Sequence, residues 1–61
     1  MIKEFYIKFL QDFFGIKKGE TVTFYNGKLR YLDGGYSEKY KSAQDFIRKN
    51  LSLNVEEVAN P

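Results

Sequence analysis

Few residues of this sequence could do covalent or acid-base chemistry. The chain contains no histidine and no cysteine, the side chains that most often serve as general base and as soft metal ligand. Its serines, Ser37, Ser42 and Ser52, do not lie in a nucleophile-elbow context. The adjacent carboxylates Glu56 and Glu57 would point about 100° apart on a helix, so they fit a helix N-terminus better than a metal site. We therefore expect a protein that is not an enzyme and that holds no metal or cofactor.

Nucleic-acid binding is one function that the residue types allow. Tyr25, Lys28, Arg30 and Lys39 would share the polar face of a small sheet, where a ring can stack on a base and cations can neutralise phosphates. Ten Lys and Arg against eight Asp and Glu give a net charge of only +2, and a solvated strand face explains the same four residues. Nucleic-acid binding is therefore the second of two hypotheses.

An apolar surplus near the N-terminus supports the first hypothesis, which is protein binding. Residues 2–14 carry apolar side chains at spacings of three and four, which predicts an amphipathic helix that ends at Gly15 with a positive φ. The apolar positions cover roughly 200° of a helical wheel, about twice what one core needs. Ile7, Leu10 and Phe14 form a second seam, which we expect to contact a larger protein or a second copy of the chain. The alternatives are a seam covered by the C-terminal segment and a helix lying on a membrane surface.

These residues must be positioned by the elements around them, first among them a hairpin over residues 21–33. The pair Asn26-Gly27 between two alternating runs predicts a two-residue type I′ turn. Such a turn fixes the register, which places Tyr25 opposite Lys28, Phe24 opposite Leu29, Thr23 opposite Arg30 and Val22 opposite Tyr31. The predicted hairpin then has an apolar face and a polar face. Leu32 is the exception, because it is apolar and falls on the polar face.

The segments after the hairpin complete the predicted fold. A second turn at Asp33-Gly34-Gly35 leads into residues 36–40, which alternate and predict a third strand with Tyr40 beside Leu29 and Lys39 beside Arg30. The alternative is a helix that already begins at Ser37. A helix over Ala43–Leu51 follows, with Ser42 as N-cap and Asp45 at the third helical position. Asn54 and Glu57 then predict a capped helical turn over residues 55–59.

The predicted architecture is a single α+β domain over residues 1–61, with an N-terminal helix, an antiparallel meander of two or three strands and the order α-β-β-β-α. No apolar run is long enough to span a bilayer, and the lack of cysteine fits a cytoplasmic protein. The predicted function is non-catalytic protein binding. An inhibitor, adaptor or regulatory protein of phage or plasmid origin is the specific expectation, with a larger protein as its partner or a second copy of the chain in a homodimer.

Overall fold

The computed structural model describes residues 4–59 of the chain. Within this range the elements are β1 (Glu4–Phe9), β2 (Thr21–Tyr25), α1 (Ala43–Lys49) and β3 (Val55–Val58). The three strands form an antiparallel sheet in the order β2-β1-β3. No helix among the described residues is long and apolar enough to cross a bilayer. The fold is therefore α+β with the order β-β-α-β, and the predicted order α-β-β-β-α is wrong.

β1 lies in the middle of the sheet and forms backbone hydrogen bonds along both edges. Phe9 N–H donates to the Glu20 carbonyl oxygen at 2.9 Å, on the side of β2. The next amide, Leu10 N–H, donates to the Asn54 carbonyl oxygen at 2.8 Å, on the side of β3. Every residue of β1 has a partner in β2 or β3. The first described element thus connects the whole sheet.

The helix predicted over residues 2–14 is wrong, because the described part of this segment is a strand, a loop and a tight turn. The side chains of β1 alternate, with Phe5, Ile7 and Phe9 buried and those between them more exposed. Phe5 and Phe9 are four positions apart, a spacing that suits a helix as well as an alternating strand. Aromatic and β-branched residues favour strands, and pairing on both edges decides the outcome. Ile2 lies outside the described residues.

The hairpin predicted at Asn26-Gly27 is confirmed at its turn. The two residues have φ angles of +53° and +83°, and Tyr25 and Lys28 exchange two backbone hydrogen bonds of 3.0 Å. These features define a type I′ turn. The register predicted beyond this first pair is wrong, because Arg30 pairs with Tyr36 and β2 takes β1 as its strand partner.

Residues 36–40 form neither the predicted third strand nor the start of a helix. Ser37 N–H donates to the Leu29 carbonyl oxygen at 2.8 Å, and Tyr40 N–H donates to that of Gly27 at 2.8 Å. The Ser37 hydroxyl oxygen accepts the Leu29 N–H at 2.9 Å. The Leu29 N–H thus donates to a side-chain oxygen, whereas in a sheet it would donate to a backbone carbonyl oxygen of the neighbouring strand. The predicted three-stranded meander therefore does not form. Tyr40 lies beside Gly27 rather than beside Leu29.

The second predicted helix is present as α1, with its predicted cap. Ser42 Oγ accepts the Asp45 N–H at 3.2 Å, and Asp45 Oδ2 accepts the Lys41 N–H at 3.0 Å. The bond from Lys41, together with nearby positive charges, lowers the pKa of the Asp45 carboxyl. Its contribution to folding stability is therefore present above the ordinary pKa of Asp and is lost as pH falls through the lowered value. The helix ends at Lys49, before the predicted Leu51.

The helical turn predicted over residues 55–59 is wrong, because Val55–Val58 is the strand β3. The free edge of β1 accepts a partner here, and the β-branched valines at both ends of the segment favour a strand. The capping box predicted from Asn54 and Glu57 does not form. Instead Asn54 N–H donates to Gln11 Oε1 at 2.9 Å, and Glu57 Oε1 accepts a bond from Gln44 Nε2 at 3.0 Å.

The core lies between α1 and the inner face of the sheet and is largely aromatic. The Phe46 ring of α1 lies 4.8 Å from that of Phe24 and 5.0 Å from that of Tyr40, measured between centroids, and meets both edge to face. Phe5 stacks on Phe24 at 4.8 Å. Each such ring buries roughly 150–250 Å², which suits a chain too short to assemble many smaller side chains. The buried apolar residues are Phe5, Ile7, Phe9, Ile16, Phe24, Leu29, Tyr40, Ala43 and Phe46.

Alanine substitutions at Ile7 and Leu10 distinguish the strand β1 from the helix predicted over residues 2–14. Ile7→Ala removes a side chain with no exposed surface and should lower the free energy of unfolding by about 2–5 kcal/mol. Leu10→Ala removes a partly exposed side chain and should cost less than half as much. Urea denaturation followed by circular dichroism measures both, with Ile7→Val as the milder variant if Ile7→Ala does not fold. Equal losses at the two positions would indicate a shared helical seam and contradict the strand.

Candidate functional site

Two loops of the described chain meet and leave large apolar side chains on the surface. The first is the turn at Phe14 and Gly15, between β1 and β2, and the second is the loop of residues 31–35. Leu32 lies against the first turn, because a Cβ placed on Gly15 would be 2.6 Å from Leu32 Cδ1. Phe14 is 72% exposed and Leu32 is 79% exposed. Phe14, Tyr31 and Leu32 are named the loop patch below.

The turn at Phe14 has the geometry of the turn at Asn26-Gly27. Phe14 and Gly15 have φ angles of +45° and +87°, and Phe13 and Ile16 exchange two backbone hydrogen bonds of 2.8 Å. A type I′ turn favours Asn at its first central position, because the short Asn side chain tolerates a positive φ. A bulky residue in this region is an outlier that costs about 1–2 kcal/mol. The chain therefore carries backbone strain at an exposed aromatic residue.

The neighbours of the strained turn hold it in place. Phe13 stacks on Phe9 at 5.3 Å between ring centroids, and Ile16 is buried. Because both flanking side chains pack on the core, the two residues between them must reverse the chain. Lys18 N–H closes the same connection by donating to Asp12 Oδ1 at 2.8 Å. Phe14 is thus directed outward by the packing of its neighbours.

The loop of residues 31–35 is fixed by its own hydrogen bonds. Tyr31 N–H donates to the Gly35 carbonyl oxygen at 2.7 Å, and Gly34 N–H donates to that of Tyr31 at 3.0 Å. Asp33 Oδ1 accepts the Gly35 N–H at 2.8 Å, which is an Asx-turn. The turn predicted at Asp33-Gly34-Gly35 is therefore present. Its bonds set the positions of Leu32 and Asp33 relative to Tyr31.

The loop patch lines a depression in the surface of about 390 Å³, together with Asp33. The Phe14 ring lies 4.6 Å from that of Phe13 and 5.6 Å from that of Tyr31, between centroids. Phe13 and Tyr31 in turn pack against the buried core. The apolar interior thus continues to the surface at this point. Concave apolar surfaces of this kind are where ligands and partners bind.

Two carboxylates, those of Asp33 and Glu38, act electrostatically on Tyr31. Partial burial raises the pKa of the Tyr31 hydroxyl, and electrostatic repulsion from ionised Tyr40 and from the carboxylates of Asp33 and Glu38 raises it further. At neutral pH the tyrosines are uncharged, so the negative charges are those of the two carboxylates. Among the described residues no Lys or Arg acts on this pKa in the opposite direction. Asp33, which also lines the depression, places a negative charge at its rim, although the whole chain has a net charge of +2.

The residues predicted to bind a protein partner do not share one surface. Ile7 is buried in the core, and Leu10, just after β1, is partly exposed. Phe14 belongs to the loop patch. The helical seam that would have joined the three does not exist, because residues 4–9 form a strand. Their contact with a partner stays a prediction, and of the three only Phe14 has most of its side chain on the surface.

Three of the four residues predicted to bind nucleic acid lie around the turn at Asn26-Gly27. Tyr25 is 56% exposed and is paired with Lys28. The Lys39 side chain lies against the turn, with its Cγ 3.1 Å from the position of a Cβ on Gly27. Arg30 lies farther along the chain, in backbone pairing with Tyr36 and not beside Lys39. A second depression, of about 280 Å³, is lined here by Asn26, Gly27, Lys39, Tyr40 and Lys41.

Sequence reasoning did not single out Tyr31 and Leu32 as site residues. The sequence did indicate that Leu32 is exposed, because Leu32 is the apolar residue on the polar face of the predicted hairpin. Phe14 was chosen as part of a helical face, and the positive φ predicted for Gly15 as a helix end is present within a turn instead. Nothing in the sequence around Phe14 indicates that its own φ is positive.

Comparison with known proteins adds no assignment to this surface. No protein-family model, curated protein or solved structure matches the chain. Within residues 4–59, no group of three or more His, Cys, Asp or Glu side chains is placed to hold a metal ion. The loop patch is therefore interpreted from its own geometry.

The strain at Phe14 predicts an unusual order of stability for two substitutions. Phe14→Gly and Phe14→Ala both remove the ring, but only Gly adopts a positive φ without cost. We expect the Gly variant to be more stable than the Ala variant by about 1 kcal/mol, measured by urea denaturation. Leu51 is the matched control, since it is 80% exposed and its φ is not positive.

At Leu51 the usual order should hold, with the Ala variant equal to or more stable than the Gly variant. The same order at Phe14 would show that its backbone is not strained.

Proposed function

We propose that this protein is a small non-catalytic protein-binding module whose contact surface is the loop patch. The absence of cysteine from these 61 residues suits an inhibitor, adaptor or regulatory protein that works in the reducing cytoplasm. The partner is a larger protein that covers Phe14 and Leu32. This proposal keeps the function expected from the sequence and moves its surface from a helix to two loops.

The strained and exposed Phe14 is the observation that carries the proposal. Residues held in unfavourable backbone regions cluster at binding and active sites, where the strain accompanies function. The chain uses the unstrained solution, Asn followed by Gly, in its other turn of this type. A bulky aromatic residue in the equivalent place lowers stability and gains little burial, since 72% of it stays exposed. Contact with a partner supplies a reason for it.

The composition of the loop patch supports protein binding over chemistry. Aromatic residues are enriched at the centres of protein interfaces, where they act as anchors in small pockets. The pKa of the Tyr31 hydroxyl is raised by burial and by its neighbours, which is the opposite of the shift that would activate a tyrosine as a base or nucleophile. The sequence provides no histidine or cysteine to take that role.

Nucleic-acid binding is the second candidate function, and the basic depression at the Asn26-Gly27 turn favours it. Lys39 and Lys41 line this depression, while Tyr25 is exposed next to Lys28. An exposed ring among lysines can stack on a base of a single strand while the cations contact phosphates. This surface is separate from the loop patch, so the two candidates can be tested by different substitutions.

Affinity capture with matched variants tests the proposal. Wild-type protein and the variants Phe14→Gly and Tyr25→Ala are immobilised and exposed to lysate of the source organism, with and without nuclease. We expect a protein retained by wild type and by Tyr25→Ala, insensitive to nuclease and lost with Phe14→Gly. Phe14→Gly is chosen because it removes the ring while relieving the turn.

Three results would contradict the proposal. Capture that survives Phe14→Gly would place the contact elsewhere. Capture that nuclease abolishes, and that the double variant Lys28→Glu with Lys39→Glu also abolishes, would favour the nucleic-acid surface. A wild-type chain that retains nothing and stays monomeric in sedimentation would leave the loop patch without a partner.

A further inference from the structure

We propose that the loop patch recognises a segment of its protein partner in which an apolar side chain is followed or preceded by Lys or Arg. This inference rests on the proposed function and adds the chemistry of the partner. The apolar side chain would occupy the depression between Phe14 and Leu32, and the cation would lie at its rim, beside Asp33.

The geometry of Asp33 places a carboxylate at the edge of the apolar depression. Asp33 lines the depression directly, and its Oδ1 accepts the Gly35 N–H at 2.8 Å. That bond already fixes the orientation of the Asp33 side chain, so little conformational entropy is lost when a ligand binds to it. Within the described residues Oδ2 makes no hydrogen bond to the protein, which leaves this oxygen to accept one from a cationic donor.

A second carboxylate, that of Glu38, does not line the depression, but its charge acts on Tyr31, which does. Its charge and that of Asp33 both reach Tyr31, where no Lys or Arg of the described residues opposes them. The acidic rim contrasts with the net positive charge of the chain. Because complementary charge steers association and discriminates between partners, an acidic segment would be rejected here and a basic one favoured.

An exposed segment of similar chemistry follows α1, where Asn50 separates the apolar Leu51 from the basic Lys49. Leu51 is 80% exposed and follows the basic residues Arg48 and Lys49 in the last turn of the helix. A second copy could therefore present Leu51 to the loop patch. We assign the site to a separate partner and include self-association in the test as the competing occupant.

Two acetylated and amidated tetrapeptides, Lys-Leu-Phe-Lys and Glu-Leu-Phe-Glu, are the probes. They carry the same apolar side chains with opposite charges. Titration into isotopically labelled protein at low ionic strength, followed by the amide resonances of Phe14, Leu32 and Asp33, gives the two dissociation constants. We expect the lysine peptide to bind at least about threefold more tightly and this preference to fall as salt is added.

Charge variants connect the preference to the rim. Asp33→Asn keeps an oxygen that can accept the Gly35 N–H, and Glu38→Gln changes an exposed side chain, so each removes charge with little change in structure. Both variants should reduce the preference for the lysine peptide. Glu56→Gln, which removes the same charge from β3, is the control and should leave the preference unchanged.

The outcomes separate this inference from the proposed function. Equal binding of the two peptides, tighter binding of the glutamate peptide, or a preference unchanged in both rim variants would overturn the inference while leaving an apolar docking site. Absence of binding by either peptide would also overturn it, and the capture experiment alone would then decide the function. Self-association of the wild type that Asp33→Asn abolishes in sedimentation would assign the site to a second copy.

Discussion

β1 is hydrogen-bonded along both edges, and this double pairing fixes where the remaining elements can lie. β2 and β3 must run antiparallel to it on opposite sides. Since alternate side chains of a strand point to opposite faces, its buried residues Phe5, Ile7 and Phe9 all face one side. α1 covers that side through Phe46, whose ring packs on those of Phe9 and Phe24.

The position of β1 also determines the two loops that form the candidate site. The chain leaves β1 after Phe9 and must reverse to reach β2, with Phe13 and Ile16 packed against the core on either side of the reversal. The residue at the tip therefore takes a positive φ whatever its side chain is. In this sequence that residue is Phe14, so the strain arises from a mismatch between a turn required by the fold and the residue that occupies it.

How far the sequence predicted this fold depended on how local each signal was. The turn at Asn26-Gly27 and the cap of α1 at Ser42 depend on residues close in sequence, and both were predicted correctly. The N-terminal strand and β3 depend on each other over some fifty residues of chain. A spacing such as that of Phe5 and Phe9 fits a helix and a strand alike, and no pattern in a single segment reveals that a distant segment will pair with it.

The candidate site shows the same limit. Phe14 was selected as an apolar residue in excess of one core, and the structure does leave it exposed. Its neighbours in the loop patch, Tyr31 and Leu32, come from a loop seventeen or more positions later. The contact of Leu32 with Gly15 and that of the Tyr31 ring with the Phe14 ring depend on how two loops cross. The four residues predicted to bind nucleic acid were grouped by the predicted register of a hairpin. Only one pair of that register, Tyr25 with Lys28, is present.

Cross-strand contacts in solution test the central position of β1 most directly. The pair Tyr6 and Thr23 and the pair Ile7 and Glu57 face each other in the register of the sheet, and the hydrogen-bond pattern makes both of them non-hydrogen-bonded pairs with closely spaced α-carbons. Nuclear Overhauser spectra should show contacts between the α-protons of both pairs, so that two consecutive residues contact two different strands. Strong contacts between successive amide protons along residues 4–9, with neither α-proton contact, would show a helix and contradict the account.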